Sequence, residues 1–281
     1  DQIAARSLRA NPGEQLAALE TLATELKELP EVVVLFGDSI QRDAVGRLVQ
    51  LFDTLGVTAR YACLVDDANS RGALDMGISP YWLPGYRPTS EAGFTPGLSL
   101  EEMVRATDLD ALWIVGANPL RGRRLAGKPF VVVQELFLTE TAQQADVVLP
   151  AASAYEKKGT FTSVCGEVQM LRRAATVPGA KSDLEITGLI AARMGLDLGP
   201  AEPAAVLEEI CRTVDGYNVS LPVLLAGGAV QAGPFPRVSE IDAPERVIRS
   251  RGDTLFTSGS LGERSAVLKS LVEAPGRLYA P

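Results

Sequence analysis

The chain has 281 residues, of which 46% are hydrophobic and 22% are charged, with a formal net charge of −8 at pH 7. This composition is too apolar for wholesale disorder, and the length allows one large core or two modest ones. The sequence lacks the run of about 18 apolar residues that a membrane-spanning helix needs. Its acidic balance disfavours nucleic-acid binding, which requires clustered Lys and Arg.

The sequence contains no histidine, which excludes histidine-based catalytic triads, general bases and metal ligands. Its three cysteines, Cys63, Cys165 and Cys211, are far apart and form no C-x-x-C pair. We therefore expect isolated, mostly buried thiols in a reducing compartment. We expect no disulfide framework, and no iron-sulfur or zinc site built from this chain alone.

The first 65 residues alternate between helical and strand patterns. Apolar residues recur at helical spacing as far as Pro30, and the valine-rich run that follows predicts a strand buried on both faces. The predicted elements are helices over 15–29 and 41–55 and strands over 31–36 and 57–65.

Residues 66–98 are rich in Gly and Pro and predict a long loop with one short helical turn. Alternation then resumes with a helix capped by Ser99. The elements that follow are strands over 111–115, 130–134 and 146–149, with a helix over 139–144. Short apolar strands that alternate with helices predict an α/β fold with a doubly wound, mostly parallel sheet.

The patterns weaken in the last third of the chain. The segment 150–175 holds many small polar residues, and helices are predicted over 183–194, capped by Asp183, and over 204–214. We therefore predict one α/β domain over 1–215, followed by a C-terminal linker and extension over 216–281. The chain starts at Asp1 with no signal-peptide pattern, which we interpret as processing or as a fragment of a longer protein.

Polar residues follow the predicted strands, where open parallel sheets bind ligands. Gly116 permits backbone approach to a phosphate, and the Asn118 amide can both donate and accept, but both are also ordinary turn residues. The basic residues that follow, either anion ligands or solvated side chains, are Arg121, Arg123 and Arg124. After the earlier strand, Asp38–Ser39 is better explained as a helix cap.

Further candidates lie between residues 140 and 169. Glu140 starts a predicted helix and Asp146 opens a predicted strand, where each either binds a hydroxyl or fixes a loop. The polar segment 156–169 either surrounds a ligand or holds a neighbouring loop. Cys165 would be reactive only beside a cation that lowers its pKa. Because Glu167 is nearby, a buried inert thiol is the favoured interpretation.

Several of these motifs, in this order and spacing, resemble the molybdopterin oxidoreductase family. The resemblance is carried by Gly116–Pro119, Asp146–Pro150, Glu156, Gly159–Thr162, Gly166–Gln169 and Ser182–Ile186. It covers roughly residues 110–195 well and the earlier segment loosely. It implies the fold of formate dehydrogenase and DMSO reductase, in which catalytic members hold a pterin dinucleotide.

Three outer segments resemble one branch of that family, the large G subunits of respiratory NADH-quinone oxidoreductase (complex I). They are Asn69–Gly77, Leu83–Tyr86 and Gly252–Gly262. The likeness implies a module without cofactor or metal, packed in the peripheral arm against other subunits and its own iron-sulfur region, which these residues do not include. The parent complex is expected to carry iron-sulfur clusters and FMN, to translocate protons, and to place this segment peripherally on the cytoplasmic face of the inner membrane.

Departures from the family pattern fall in the polar segment. Catalytic members commonly carry Asn at Ser163, an acidic residue at Cys165 and Arg at Glu167. Replacing a cation by a carboxylate disfavours an anionic pterin. The resemblance therefore implies a vestigial pterin site and no catalytic residue; its candidate positions are Gly116, Asn118, Asp146, Glu156, Thr160 and Thr162.

Three hypotheses follow from these observations. The first is a structural module supporting electron transfer from NADH through iron-sulfur clusters to quinone, without nucleic-acid binding or direct membrane insertion. The second is a fragment of a catalytic enzyme such as formate dehydrogenase, with a pterin near Asn118, Asp146 and residues 160–162. The third is a general nucleotide-binding module, which the lack of a G-x-G-x-x-G motif or a P-loop disfavours.

Overall fold

The structure is a computed structural model that describes residues 4–11, 13–37, 39–40, 43–65, 67–235 and 259–273. The chain forms two compact units. Unit 1 takes its described residues from Asp1–Asp67, and unit 2 takes its described residues from Ala68–Val238 and Gly252–Pro281. None of the helices within these described ranges is long and apolar enough to cross a membrane.

Unit 1 is a two-stranded parallel sheet packed against helices. Its elements are α1 (Gln15–Glu20), α2 (Ala23–Leu26), β1 (Glu31–Phe36), α3 (Asp43–Leu55) and β2 (Thr58–Cys63). Leu16, Leu48, Phe52 and Val57 form its buried core. The predicted strands and second helix are therefore present, although Gln41, Arg42 and the cap candidate Asp38 lie outside the described residues. The expectation that β1 is buried on both faces is wrong: its burial alternates, with Val33 66% and Leu35 64% exposed, because only one face of the two-stranded sheet packs against the core.

The single helix predicted over 15–29 is two short helices, α1 and α2, separated at Thr21 and Leu22. The Thr21 hydroxyl donates to the Ala18 carbonyl at 2.6 Å. Such bonding of a threonine to a preceding carbonyl competes with the helical backbone pattern and bends helices.

Unit 2 begins with the segment predicted as a long loop, and this segment is structured. It contains α4 (Ser70–Asp75), the hairpin β3 (Trp82–Leu83) and β4 (Arg87–Pro88), and a 3-10 turn at Thr89–Ala92. Trp82 is 7% exposed, and the Gly85 amide donates to the Asp75 carbonyl at 2.8 Å. The Gly and Pro residues therefore mark tight turns of a packed segment.

The central sheet of unit 2 has three parallel strands in the order β5 (Ala111–Val115), β6 (Phe130–Glu135) and β7 (Val147–Pro150). It follows α5 (Leu100–Arg105) in the sequence. As predicted, Ser99 caps this helix, and it forms a capping box with Glu102. The predicted α/β class with mostly parallel central strands is thus confirmed. The helix predicted over 139–144 is only a 3-10 turn at Ala142–Gln144.

An antiparallel sheet, unforeseen in the sequence, follows. Its strands are β8 (Gly159–Thr162), β9 (Glu167–Leu171) and β10 (Val230–Gln231), in the order β10-β9-β8. Three helices lie between β9 and β10 in sequence: α6 (Asp183–Arg193), α7 (Pro203–Thr213) and α8 (Leu221–Leu225). The cap of α6 is Ser182 rather than the predicted Asp183, because Ser182 forms a capping box with Glu185.

The start of the predicted linker is part of this packed unit. Tyr217, Val219 and Leu224 belong to the same buried cluster as Val168 and Leu207, so residues 216–235 fold with the preceding domain. The described part of the predicted extension consists of α9 (Gly259–Arg264) and α10 (Ala266–Glu273). The motif residues 252–258 lie outside the described residues.

Candidate functional site

The carboxyl ends of β5, β6 and β7 form the sheet edge where α/β proteins bind ligands. Val115, Gln134 and Leu149 stand side by side at this edge. Gly116 follows with φ of 60° and donates its amide to the Gln134 carbonyl at 2.9 Å. A left-handed residue is needed for the chain to turn here, which explains the glycine.

Asn118 ties this turn to the segment after β6. Its Oδ1 accepts from the Thr141 amide at 3.0 Å and from the Thr141 hydroxyl at 2.8 Å, and its Nδ2 donates to Glu140 at 2.7 Å. The Asn118 hydrogen bond is the largest cause that lowers the pKa of Glu140, and the Arg264 charge, 3.6 Å away, adds to it. Both the oxygen and the nitrogen of this amide are therefore bonded within the chain.

Two of the three predicted basic residues that follow Asn118 are also engaged. Arg121 pairs with Glu263 at 3.1 Å, and Arg123 pairs with Glu101 at 2.8 Å. Arg124 is exposed to solvent. Arg121 and Arg123 are thus bound to carboxylates of this chain, which opposes their predicted alternative role as ligands of an external anion.

Asp146 lies at the other end of the sheet. It directly precedes β7, and its Oδ2 accepts from the Val131 amide at 2.7 Å near the start of β6. At about 3.3 Å per residue, it is about 10 Å along the strands from Leu149 at the carboxyl edge. The placement of Asp146 with Asn118 in one site is therefore wrong; Asp146 fixes the beginning of a neighbouring strand.

Gln134 is a polar residue at the carboxyl edge that the sequence analysis missed. It is completely buried, and its Nε2 donates to Asp183 at 2.6 Å, while Lys157 forms an ion pair with Asp183. Its Oε1 has no hydrogen-bond partner. The sequence marks this residue only as a glutamine at the end of the valine-rich strand predicted over 130–134.

Glu156 is a helix-capping residue. It accepts from the Ser153 amide at 2.9 Å, the Ser153 hydroxyl at 2.7 Å and the Val177 amide at 3.1 Å. The bonds from Ser153, followed by the smaller contribution of Val177, lower its pKa. This carboxylate therefore holds two stretches of backbone together, which is the loop-holding role the sequence left open.

The two threonine candidates have different surroundings although both lie on β8. Thr162 is buried; its amide donates to Asn69 at 2.8 Å and its hydroxyl lies 2.7 Å from the Tyr217 hydroxyl. Thr160 lines a cavity of about 430 Å³ at the start of α6 and α7. The two residues thus do not share a site.

Four of the charged side chains that line this cavity form two ion pairs. Lys158 bonds Glu202 at 2.6 Å, and Lys157 contacts Asp183. The apolar part of the wall includes Leu207, which is 3% exposed. The cavity is therefore lined by two ion pairs, by Arg173 and Glu185, and by apolar side chains.

Ser163 and Cys165 lie in the turn between β8 and β9, and Glu167 begins β9. The Ser163 amide donates to the Glu167 carbonyl at 2.9 Å, and Cys165 is exposed. The expectation that Cys165 is buried is wrong, because the tip of a hairpin faces solvent. Within the described ranges, no disulfide forms and no group of three or more acidic or cysteine side chains is placed to hold a metal.

A second polar cluster is centred on Asp75. The sequence analysis included this residue only within Asn69–Gly77, one of the three segments that resemble the G subunits. Asp75 is completely buried, and its Oδ1 accepts from Arg71 at 2.8 Å and from the Tyr86 hydroxyl at 2.6 Å. Its Oδ2 has no hydrogen-bond partner. The Arg71 guanidinium lies 5.9 Å from the centre of the Phe235 ring, so the cluster joins α4 to the chain after β10.

The donor groups at the carboxyl edge do not fit an anionic pterin dinucleotide. Asn118, Arg121 and Lys157, which could donate hydrogen bonds to a phosphate, each donate to a carboxylate of the chain. The one unsatisfied buried atom there, Gln134 Oε1, is an acceptor and would face a phosphate oxygen unfavourably. The six candidate positions are spread over both ends of one sheet, a capping turn and a hairpin.

The fold and motifs agree with comparisons to known proteins. The sequence model of the molybdopterin oxidoreductase family matches residues 9–193. The chain therefore belongs to the molybdopterin oxidoreductase family.

Three curated relatives show the range of this likeness. The G 2 subunit of NADH-quinone oxidoreductase from Rhizobium meliloti is 33% identical over 92% of this chain and 35% of its own length. NADPH-Fe(3+) oxidoreductase subunit alpha of Geobacter sulfurreducens is 32% identical over 72% of this chain and 27% of its own. F420-dependent formate dehydrogenase subunit alpha of Methanocaldococcus jannaschii is 38% identical over 45% of this chain and 22% of its own. The chain thus spans about a third or less of these relatives.

Proposed function

We propose that this chain is a structural, pterin-free segment of the large G subunit in a respiratory NADH-quinone oxidoreductase. The observation that carries the proposal is the similarity to such a protein over 92% of the chain. The formate dehydrogenase subunit matches only 45% of it. Sequence similarity that extends over nearly the whole chain supports a shared role better than similarity limited to the common fold.

The geometry of the carboxyl edge supports the same proposal. Asn118, Glu140 and Thr141 bond to one another, and Glu156 bonds to backbone amides. Groups used in this way lock connections onto the sheet and leave few donors for a ligand. They suit a segment whose task is to keep a fixed shape for its neighbours.

We place the whole protein in the peripheral arm of the complex, on the cytoplasmic face of the membrane, beside other peripheral-arm subunits. There, FMN and iron-sulfur clusters outside this segment would carry electrons from NADH to quinone, coupled to proton translocation. The segment would contribute packing surfaces, among them residues 67–98. In this proposal no electron passes through a centre held by these residues.

The proposal is tested on the assembled complex, purified through a tag on this chain. Molybdenum and tungsten should be far below one atom per chain. Asn118→Ala should reduce the amount of assembled complex but leave NADH:quinone turnover per FMN unchanged. The matched control is Asn218→Ala, an exposed amide whose loss should change neither quantity.

The second candidate is a fragment of a catalytic formate dehydrogenase, favoured by the 38% identity to the Methanocaldococcus jannaschii protein. It predicts stoichiometric molybdenum or tungsten, extractable oxidised-pterin fluorescence and formate-dependent dye reduction. If these appear and Asn118→Ala abolishes dye reduction in protein that still assembles, the structural proposal is overturned.

A further inference from the structure

Two buried hydroxyl groups in unit 2 leave one proton without an acceptor. Thr162 and Tyr217 are 2% and 3% exposed, and their hydroxyl oxygens lie 2.7 Å apart. Whichever of the two donates in this hydrogen bond, the other keeps a hydroxyl proton that has no acceptor among the described residues. Buried polar groups are normally hydrogen-bonded, so an acceptor is expected beside this pair.

The carboxylate of Asp75 has the opposite deficit. It is completely buried, and its Oδ1 accepts from both Arg71 and Tyr86. Its Oδ2 is also buried but accepts from none of the described groups. A buried oxygen of a charged group that lacks a donor destabilises the folded state by the desolvation of that atom. The described part of unit 2 therefore contains a buried acceptor and a buried donor that are both unsatisfied.

The helix α4 brings these two deficits close together. Gly72 and Asp75 are three residues apart on α4, so they share one face of the helix, with about 5–6 Å between their Cβ positions. A Cβ added to Gly72 would lie 3.1 Å from the hydroxyl oxygen of Thr162. Burial raises the pKa of Tyr217, and the negative charge of Asp75 adds to this rise. The carboxylate and the hydroxyl pair thus lie on the same side of α4.

The carboxylate oxygen and the hydroxyl pair are not in direct contact. Asp75 Oδ2 has no hydrogen-bond partner, so neither hydroxyl reaches it. Gly72 has no side chain, and nothing from this residue separates Asp75 from Thr162. A small bridging molecule is therefore needed to satisfy both groups.

We propose that Asp75, Thr162 and Tyr217 bind one internal water molecule. The water donates to Asp75 Oδ2 and accepts the proton that the pair of hydroxyl groups leaves over. These two bonds are most of the roughly three hydrogen bonds that an internal water makes to buried polar groups. The inference follows from the donors and acceptors of these side chains and does not depend on the proposed redox role.

A water molecule suits this site better than a metal ion. Asp75 already pairs with Arg71 at 2.8 Å, so the charge of the carboxylate is balanced within the chain. A metal ion would add positive charge and would need several oxygen ligands. The hydroxyl pair instead has a proton to donate. Water meets both needs because it accepts and donates at once.

The bound water completes a chain of hydrogen bonds across unit 2. The chain runs from Tyr86 through Asp75 and the water to Tyr217 and Thr162. It thereby links the β3–β4 hairpin, α4, β8 and the segment between α7 and α8. The water is thus a fixed part of the joint that holds α4 in place.

A crystal structure of the natural chain that resolves ordered water tests the proposal. It should show one water oxygen within about 3.2 Å of Asp75 Oδ2 and of one of the two hydroxyl oxygens. Three results would overturn the proposal. They are a gap without density, a direct hydrogen bond from Thr162 or Tyr217 to Asp75 Oδ2, and a metal ion with ligand distances of about 2.6 Å or less.

Oxygen-17 magnetic relaxation dispersion gives a second measurement, in solution. It counts long-lived internal waters and is not affected by exchanging hydroxyl protons. The double variant Thr162→Val/Tyr217→Phe lacks both hydroxyls, so its dispersion amplitude should be smaller than that of the natural chain by one water. Tyr155→Phe, at a position that is 62% exposed, is the control and should keep the natural amplitude.

An unchanged amplitude in a double variant that retains the natural circular dichroism spectrum would contradict the proposal. If the double variant does not fold, the crystal structure decides by itself, because it uses the natural chain.

Discussion

The buried carboxylate of Asp75 accepts a hydrogen bond from the Tyr86 hydroxyl at 2.6 Å, although Tyr86 has a left-handed backbone with φ of 61°. That conformation costs a non-glycine residue about 1 kcal/mol or more. The hydrogen bond and the edge-on contacts of the Tyr86 ring with Trp82 and Phe235 hold it in place. This relationship fixes the β3–β4 turn onto α4.

Tyr86→Phe should lower the free energy of unfolding of unit 2 by about 1–3 kcal/mol, because it leaves a fully buried carboxylate with Arg71 as its remaining described hydrogen-bond donor. Denaturant unfolding followed by tryptophan fluorescence measures this, since Trp82 and Trp113 both lie in unit 2. Tyr155→Phe, at an exposed position, is the control. Equal stabilities of the two variants would contradict the role given to this bond.

Burial, followed by the hydrogen bond and charge of Asp75, raises the pKa of Tyr86. The folded chain therefore keeps a proton that the unfolded chain loses above about pH 10. This contribution to stability is complete below about pH 10 and is lost as the pH rises through the folded-state pKa. Unfolding midpoints between pH 9 and 11 should fall more steeply for the natural chain than for Tyr86→Phe. Parallel curves would refute the raised pKa.

Gly72→Ala should destabilise unit 2 by about 1–3 kcal/mol, although alanine favours helices. A Cβ at this position would lie 2.3 Å from Asn69 Oδ1, the atom that accepts from the Thr162 amide. The matched control is Gly46→Ala in α3, where a Cβ meets nothing within 4 Å. That variant should stabilise unit 1 by about 0.5–1 kcal/mol, measured by circular dichroism.

Asn118→Ala should lower stability by about 1–2 kcal/mol, since two hydrogen bonds from Thr141 are lost. Asn118→Asp keeps an acceptor for Thr141 but sets a second carboxylate against Glu140. Its stability relative to Asn118→Ala should therefore be lower at pH 7 than at pH 4. Midpoints of urea unfolding at the two pH values measure this, and a difference independent of pH would exclude the contact with Glu140.

Three capping boxes share one pH response. Hydrogen bonds from Ser99, Ser153 and Ser182 lower the pKa of the glutamate three residues later: Glu102, Glu156 and Glu185. Their contribution to stability is therefore present above the unfolded-state pKa, near 4.5, and is lost as the pH falls through the folded-state values.

Replacing the three glutamates by glutamine retains an acceptor for each cap but removes the titration. Thermal unfolding between pH 3 and 6 should depend less on pH in the triple variant than in the natural chain. Glu167→Gln, an exposed glutamate, is the control and should leave the pH dependence as it is. A triple variant with the natural pH profile would contradict the lowered pKa values.

Hydrophobic periodicity predicted most elements, since it is a local property. The strands at 31–36, 58–63 and 111–115 and the cap at Ser99 are where the sequence placed them. The β8–β9 hairpin was missed because its threonines and glycines carry a weak apolar alternation. The order and spacing of the motifs were also sufficient to identify the family.

The site was much less predictable, because the partners of a polar group are decided by topology. Asn118 and Glu140 are 22 residues apart, and Arg121 and Glu263 are 142 residues apart. The sequence analysis placed Asp146 close to Asn118. In the structure, Asp146 lies at the amino end of β7, whereas Asn118 follows the carboxyl end of β5. The sequence placed Cys165 among buried thiols, whereas the hairpin turn exposes it.

The sequence by itself determined the alternation of strands and helices, the family and the absence of histidine chemistry, because these depend on composition and on spacing along the chain. The tertiary structure alone decided which polar groups neutralise one another, that Cys165 is exposed, and that Asp75 is buried. Those properties depend on distances across the fold, which local sequence patterns do not encode.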